Sequence, residues 1–419
     1  MIKKIFKGIL IFLVSLIILI GIGDFLWINL PKLNARKNIS DIEDYGKAVS
    51  QINLDDNIQV VGLGEAAHGN SDFQDLKLEV LKTLVEKNNL KSFAIEADFG
   101  EGMIINNYIH GNKRDENISR IFSFNIYHTK NMSDLINYMF DYNQKAKDED
   151  KLSFYGFDMQ NPEKSIDLIL DFCKENNILQ EKDLKKELSF IKDEKIKISQ
   201  IKDKEALLLE IKAYADALSS SDAKIASRAL TNILNSIKYY ELDFNDYVKV
   251  NNVRDELMAE NVKWISDFEK SKGNKMLLIS GHNGHIAKSE KFYEPMGSHL
   301  KKIFGEKYFI IGTDFYKGIV NINVAGPDNK RSNHVFVSAD PLAYSARKFK
   351  GKYYLDFTKV KDGETFDLIN KEINMISLGE GYSPLMKFMP RTYRVKEVPK
   401  DNDMEAVDNL KKAITTFIK

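Results

Sequence analysis

The 419-residue sequence predicts an α/β protein with a mainly parallel sheet flanked by helices, an inserted helical arm, a smaller C-terminal mixed region and an N-terminal transmembrane helix. Three observations predict it. Short β-rich runs alternate with helical stretches, the pattern of strands joined by crossover helices. Those runs end in polar residues, as expected where strands deliver groups to the carboxyl edge of an open sheet. A long uncharged segment opens the chain.

In that opening segment, Lys3, Lys4 and Lys7 precede an uncharged run from Gly8 to Gly23. After Asp24 the run continues through Phe25, Leu26, Trp27 and Ile28 until Pro31. Counted from Ile5 to Leu30, it reaches the ~20 apolar residues that cross a bilayer, with Trp27 where an interfacial aromatic belongs. We expect an uncleaved signal anchor that places the protein in the cell membrane as a single-pass chain, with its catalytic body outside the cytoplasm. The alternatives are a cleaved signal peptide, with Gly21 and Gly23 near the cut, or a buried core helix.

Five strand runs follow the linker near Asn38: Ile58 to Leu63, Ser92 to Ile95, Ser153 to Phe157, Lys275 to Ile279 and Tyr308 to Gly312. Phe73, Leu76, Val80, Leu81 and Leu84 recur at helical spacing, so Asp72 to Lys87 is an amphipathic crossover helix capped by Asn70 or Ser71. From about Gln180 to Met258 the chain is rich in Lys and Glu, with Leu and Ile at helical spacing; this is the inserted arm. Beyond Ala325 come short mixed segments, including Lys352 to Phe357 and a final helix from Met404 to Ile418. The resulting division is 1–37 as anchor and linker, 38–179 and 259–324 as the two parts of the core, 180–258 as the insertion, and 325–419 as the C-terminal region.

Composition excludes several classes. With 43% hydrophobic residues, 29% charged residues and 8 prolines, the chain is neither disordered nor fibrous. Lys and Arg (61) balance Asp and Glu (61), which leaves no net field to hold nucleic acid. The single cysteine, Cys173, excludes an intramolecular disulfide and a cysteine metal centre, and is expected to be a buried structural thiol.

The polar strand ends carry the chemistry. Glu65 and His68 follow the first strand, Glu96 and Asp98 the second, Asp158 the third, His282 and His285 the fourth, and Thr313 and Asp314 the fifth. Three of the seven histidines therefore fall at the edge where ligands bind. The loop Gly62-Leu63-Gly64-Glu65-Ala66-Ala67-His68-Gly69 formally fits a dinucleotide fingerprint, but Glu65 would face the pyrophosphate and the helix starts too late. Glu65-x-x-His68 resembles half of a di-iron site, yet no second such pair exists. The remaining reading is a glycine-flanked loop presenting a histidine and a carboxylate to a cleft.

Such a histidine takes a proton from water while the carboxylate stabilises the imidazolium. His282 and His285 would donate to the oxyanion or protonate the leaving oxygen. With no G-x-S-x-G elbow, direct attack by activated water is the simpler route to hydrolysis. The reading assigns neither metal nor cofactor. The same side chains suit zinc or manganese in a metal-dependent hydrolase, although H-E-x-x-H and cysteine ligands are absent.

These residues resemble the erythromycin esterase family in Gly64-Glu65-Ala66-Ala67-His68-Gly69, Ala94-Ile95-Glu96-Ala97-Asp98 and Tyr155-Gly156-Phe157-Asp158. The likeness continues in Arg254-Asp255, Met258-Ala259-Glu260-Asn261, His282-Asn283-Gly284-His285 and Met296-Gly297-Ser298-His299-Leu300, and covers roughly Ile42 to Gly318. The resemblance implies an α/β fold with a helical insertion and hydrolytic opening of a macrolide lactone. It makes His68 the water-activating base, Glu65 and Glu96 its acidic partners, and His282 and His285 the rest of the cleft. Lys77 sits where the family tends to have a basic residue and is carried over as substrate-binding; its alternative is an exposed helix lysine. Arg254 would clamp a substrate carboxylate or form an ordinary ion pair. Asp158 and His299 rank as local supports. Ala67 departs from the family's usual hydroxyl residue, and the membrane segment is a second departure. The expected partners are a small-molecule ester or lactone and the membrane. A noncatalytic envelope binding protein on the same scaffold is the competing class.

Overall fold

The structure, a computed structural model, describes residues 2–188, 202–289, 292–325, 330–349 and 351–408. An eight-stranded sheet organises the body. Its strands in chain order are β1 (Gly46–Ala48), β2 (Val60–Leu63), β3 (Ser92–Asp98), β4 (Ser153–Asp158), β5 (Leu277–Ser280), β6 (Tyr308–Phe315), β7 (Tyr353–Asp356) and β8 (Met404–Asp408). The spatial order is β1-β7-β8-β6-β2-β5-β3-β4. From β8 to β4 every pairing is parallel; β7 and β1 add an antiparallel edge. All five runs read from the sequence are strands of this sheet, so the α/β class holds.

Residues of β2, β3, β4 and β5 are buried throughout, as parallel strands covered on both faces must be. The period of two divides them. Val61, Leu63, Phe93, Ile95 and Leu278 point into one core, and Val60, Ala94, Tyr155, Phe157, Leu277 and Ile279 into the other. Helix α2 (Ser71–Asn88) covers the first face with Phe73, Leu76, Val80 and Leu84. The Asn70 side chain caps it by accepting from the Asp72 amide.

The arm contains helices α3 (Glu205–Ala217) and α4 (Ser221–Tyr240), and α4 buries Ala226, Ala229, Leu230, Ile233 and Ile237 at helical spacing. Helix α5 (Tyr247–Ser271) runs unbroken across residue 258 and packs Met258, Val262 and Ile265 onto the second face. Arm and core are thus joined by one continuous helix.

The C-terminal portion supplies β7 and β8 to the main sheet. It also forms a hairpin of Lys317–Val324 with Arg331–Val337, extended by Gly381–Tyr382. The expected helix from Met404 is corrected: Met404–Asp408 is a strand held between β6 and β7, and residues 409–419 lie outside the described residues. Met, Glu and Ala favour helix in isolation, but pairing on both sides decides.

Helix α1 (Ile2–Asn34) is long and apolar enough to cross a membrane, and none of its most apolar stretch is buried. This removes the core-helix alternative; a span and a signal sequence both fit. After α1, Ile39 and Ile42 are buried against Leu342, Tyr353 and Leu355, so the linker is docked on the body.

Candidate active site

The loop leaving β2 is shaped by its neighbours. A Cβ at Gly64 would collide with the Asn283 amide, and one at Gly69 with the Asn321 backbone. Glycine lets the loop pass between them. The Ala66 amide donates to Thr313 Oγ1 at 3.0 Å, and the His68 amide to the Leu378 carbonyl at 3.3 Å. Strand β6 and the C-terminal portion therefore fix the loop from two sides.

Glu65 is 1% exposed, and its Oε2 accepts from Lys77 Nζ at 2.6 Å. Lys77 is also 1% exposed, which overturns the exposed-lysine alternative. It lies on the apolar stripe of α2, four residues from both Phe73 and Leu81, and reaches the carboxylate through the core. Burial pushes the Glu65 carboxyl up to about 7, against the pull of Lys77. His68 Nδ1 stands 4.0 Å from Glu65 Oε2, too far for a hydrogen bond. Neither His68 Nδ1 nor Glu65 Oε1 has a hydrogen-bond partner among the described residues. Burial, the nearby His282 and Lys77 hold the His68 pKa well below its ordinary value, although Glu96 pulls the other way.

The opposite side of the cleft is densely bonded. Glu96 leaves β3 where the pairing with β4 shifts register, the kind of irregularity that re-aims a side chain at a sheet rim. Its Oε1 accepts from Arg254 Nη2 at 2.7 Å, and its Oε2 from the His282 amide at 3.0 Å. The same Arg254 nitrogen donates to Asp158 Oδ2 at 2.7 Å, and Nη1 lies 3.0 Å from His285 Nε2. The other ring nitrogen, Nδ1, meets the Asp255 carboxylate at 2.9 and 3.1 Å. Because a guanidinium only donates, this geometry makes Nε2 an acceptor and Nδ1–H a donor to Asp255. Burial lowers the His285 pKa, but Asp255 and then Glu96 outweigh it and leave the pKa raised. The Glu96 carboxyl is held below its ordinary range: burial opposes this, but His285 and then Arg254 outweigh it.

His282 lies between the two sides, its ring centroid 4.9 Å from that of His68 and 6.4 Å from that of His285. It caps the turn Asn283–Ile286, with Nδ1 accepting from the Gly284 amide at 3.2 Å. Burial and His285 lower its pKa to about 4.

The structure thus brings together His68, Glu65, Lys77, Glu96, His282, His285 and Arg254, with Asp158 at the guanidinium. Arg254 binds two carboxylates of the protein itself, the ion-pair alternative. Asp98 instead caps the next helix through the Gly100 amide, and His299 faces Glu294 at 3.9 Å. Cys173 is buried, and burial pushes its thiol up to about 11. Two participants had no assigned role: Asp255, and the Leu378 to Glu380 segment, where Leu378 bridges to Ala67.

The family model described as erythromycin esterase matches residues 85–403. The chain belongs to the erythromycin esterase family. Membership supports a hydrolase of that family. The match runs through residue 403, well past Gly318, and so takes in the C-terminal portion; it begins after the Glu65 to His68 loop. An erythromycin esterase type II of Escherichia coli is 25% identical over 304 residues, 62% of this chain and 70% of that protein. A putative hydrolase, YbfO, of Bacillus subtilis is 24% identical over 312 residues, 65% of this chain and 67% of that protein. Among solved structures, a Bacillus cereus protein superposes with TM-score 0.73 at 20% identity, covering 91% of this chain and 94% of that one. The erythromycin esterase EreC in an open conformation gives 0.61 at 15%, covering 85% and 91%. These likenesses show the shared fold.

Proposed function

We propose that the protein is a membrane-anchored hydrolase that cleaves a carboxylic ester or lactone with His68 as the water-activating base. The observation that carries this reading is a buried imidazole whose Nδ1 has no partner among the described residues, 4.0 Å from a carboxylate whose other oxygen is likewise unbonded there. His68 takes a proton as water adds to the carbonyl carbon. Glu65 at 4.0 Å stabilises the imidazolium, and Lys77 keeps the carboxylate oriented. His282, one ring away, supplies a donor for the oxyanion. The tetrahedral intermediate then collapses, the C–O bond breaks, and the proton on His68 passes to the leaving alkoxide. The filled partners of His285 and Arg254 favour a positioning role for both. The apolar span of α1 supports an anchor; basic residues flank it equally, Lys3, Lys4 and Lys7 before and Lys32, Arg36 and Lys37 after, so the body's placement outside the cytoplasm rests on the short basic tail alone.

The test is a panel of esters, lactones and amides turned over by the purified full-length chain, before and after chelation and with metal content measured. Turnover of at least one ester or lactone, unchanged by chelator, is expected. Loss of turnover with removal of a bound metal would replace the mechanism by a metal-dependent one. Inactivity across the panel with ligand binding retained would make the protein an envelope binding module.

A further inference from the structure

We propose that Leu385, Phe388 and Met389 form a second membrane-contact surface, seated in the headgroup layer of the bilayer that α1 crosses. This rests on the anchored reading of α1. A hydrocarbon layer of ~30 Å takes up ~20 helical residues, so a span starting at Ile5 ends near residue 25, just before Trp27. At that level the body touches the helix: the Arg391 guanidinium lies 4.4 Å from the Trp27 ring centroid, and Arg394 Nη1 donates to the Ile28 carbonyl at 3.2 Å. The segment carrying Arg391 is therefore held at the membrane boundary.

Within that segment three large apolar side chains face outward, Leu385 at 66%, Phe388 at 48% and Met389 at 56% exposed. Their presentation is built into the fold. Tyr382 and Tyr393 at either end are buried against Phe336, with ring centroids 5.5 and 5.4 Å away. Ser383 caps the turn Pro384–Lys387. Lys387 lies among the apolar residues and Arg391 follows them, and apolar side chains interspersed with cations suit an interface containing anionic lipid. Continuity with the α1 span and this charge pattern point to lipid as the occupant.

The surface is also tied to the candidate site along the chain. Leu385 lies seven positions after Leu378, whose carbonyl accepts from the His68 amide, so the Cα atoms of 378 and 385 are at most about 25 Å apart.

The experiment labels single cysteines introduced by Leu13→Cys, Leu385→Cys and Ser219→Cys in the full-length chain with an environment-sensitive fluorophore. Buried Cys173 stays unlabelled. Each protein is reconstituted into vesicles of phosphatidylcholine and phosphatidylglycerol containing lipid-borne quenchers. Quenching at 13 and 385, as side chains in the hydrocarbon and at the headgroup boundary meet lipid-borne quenchers, and none at 219 in the helical arm is the expected result. Quenching at 13 without 385 would overturn the docking surface and leave the anchor intact. Quenching at neither would overturn the anchor and the surface with it.

Discussion

The two acidic sides of the cleft are built in different ways. Glu96 accepts from Arg254 and from the His282 amide, and Arg254 is tied in turn to Asp158 and approached by His285, which Asp255 holds. Glu65 is hydrogen-bonded by Lys77, keeps one oxygen unbonded, and faces an imidazole that its charge reaches without a hydrogen bond. A saturated network fixes positions, because moving any member strands a buried charge. An unsaturated pair can change protonation state without breaking its neighbours. Under the proposed mechanism the labour divides, with the Glu96 side holding the frame and the Glu65 side handling the proton.

That division is open to attack at each member. Arg254→Met leaves Glu96 and Asp158 uncompensated and should cost about 3–5 kcal/mol of stability, read as a lowered denaturation midpoint in urea; an unchanged midpoint would mean the network carries no frame. His68→Ala should lower kcat/KM by ~10²–10⁴-fold, while its stability stays near that of the parent, because its side chain makes no hydrogen bond that the fold needs. Equal losses of stability at 68 and 254 would erase the distinction.

Glu65→Gln should act through pH. With its carboxyl at about 7, Glu65 becomes ionised as pH rises through that value, so kcat/KM should climb there and the amide should flatten the climb. Stability runs in the opposite sense. Between the ordinary value of 4.5 and about 7 the native chain holds a proton that the unfolded chain has released, so this group's contribution falls as pH rises across that window. In the Gln variant that slope disappears. The smallest effect belongs to His299→Ala, far from both networks in its contacts, which should change stability by no more than about 0.5 kcal/mol and leave turnover untouched.

Much of this arrangement was legible in the amino acids. The five core strands show as β-rich runs, and their polar ends foretold which residues would meet, since strands of a parallel sheet share one carboxyl edge. Lys77 and Asp255 were harder to read, yet each carries a signal. Lys77 falls on the apolar stripe of Phe73 and Leu81, and Asp255 on that of Met258, Ala259 and Val262. A charge on a buried stripe demands an opposite charge nearby. The contact of Leu378 with the His68 loop left no comparable trace, because it is made by backbone amides and carbonyls that every residue carries. The strand at Met404–Asp408 was hidden for a related reason: partners distant in sequence impose it.

The most direct test of the divided site is a titration of isotope-labelled histidines by nuclear magnetic resonance in the intact protein, assigned with His68→Gln and His285→Gln. The residue 68 imidazole is expected to stay neutral throughout the neutral range, with its midpoint well below 6.5, while the residue 285 imidazole titrates above 6.5. A protonated imidazole at residue 68 at neutral pH would contradict the divided site, because that ring would have no lone pair with which to accept a proton from water.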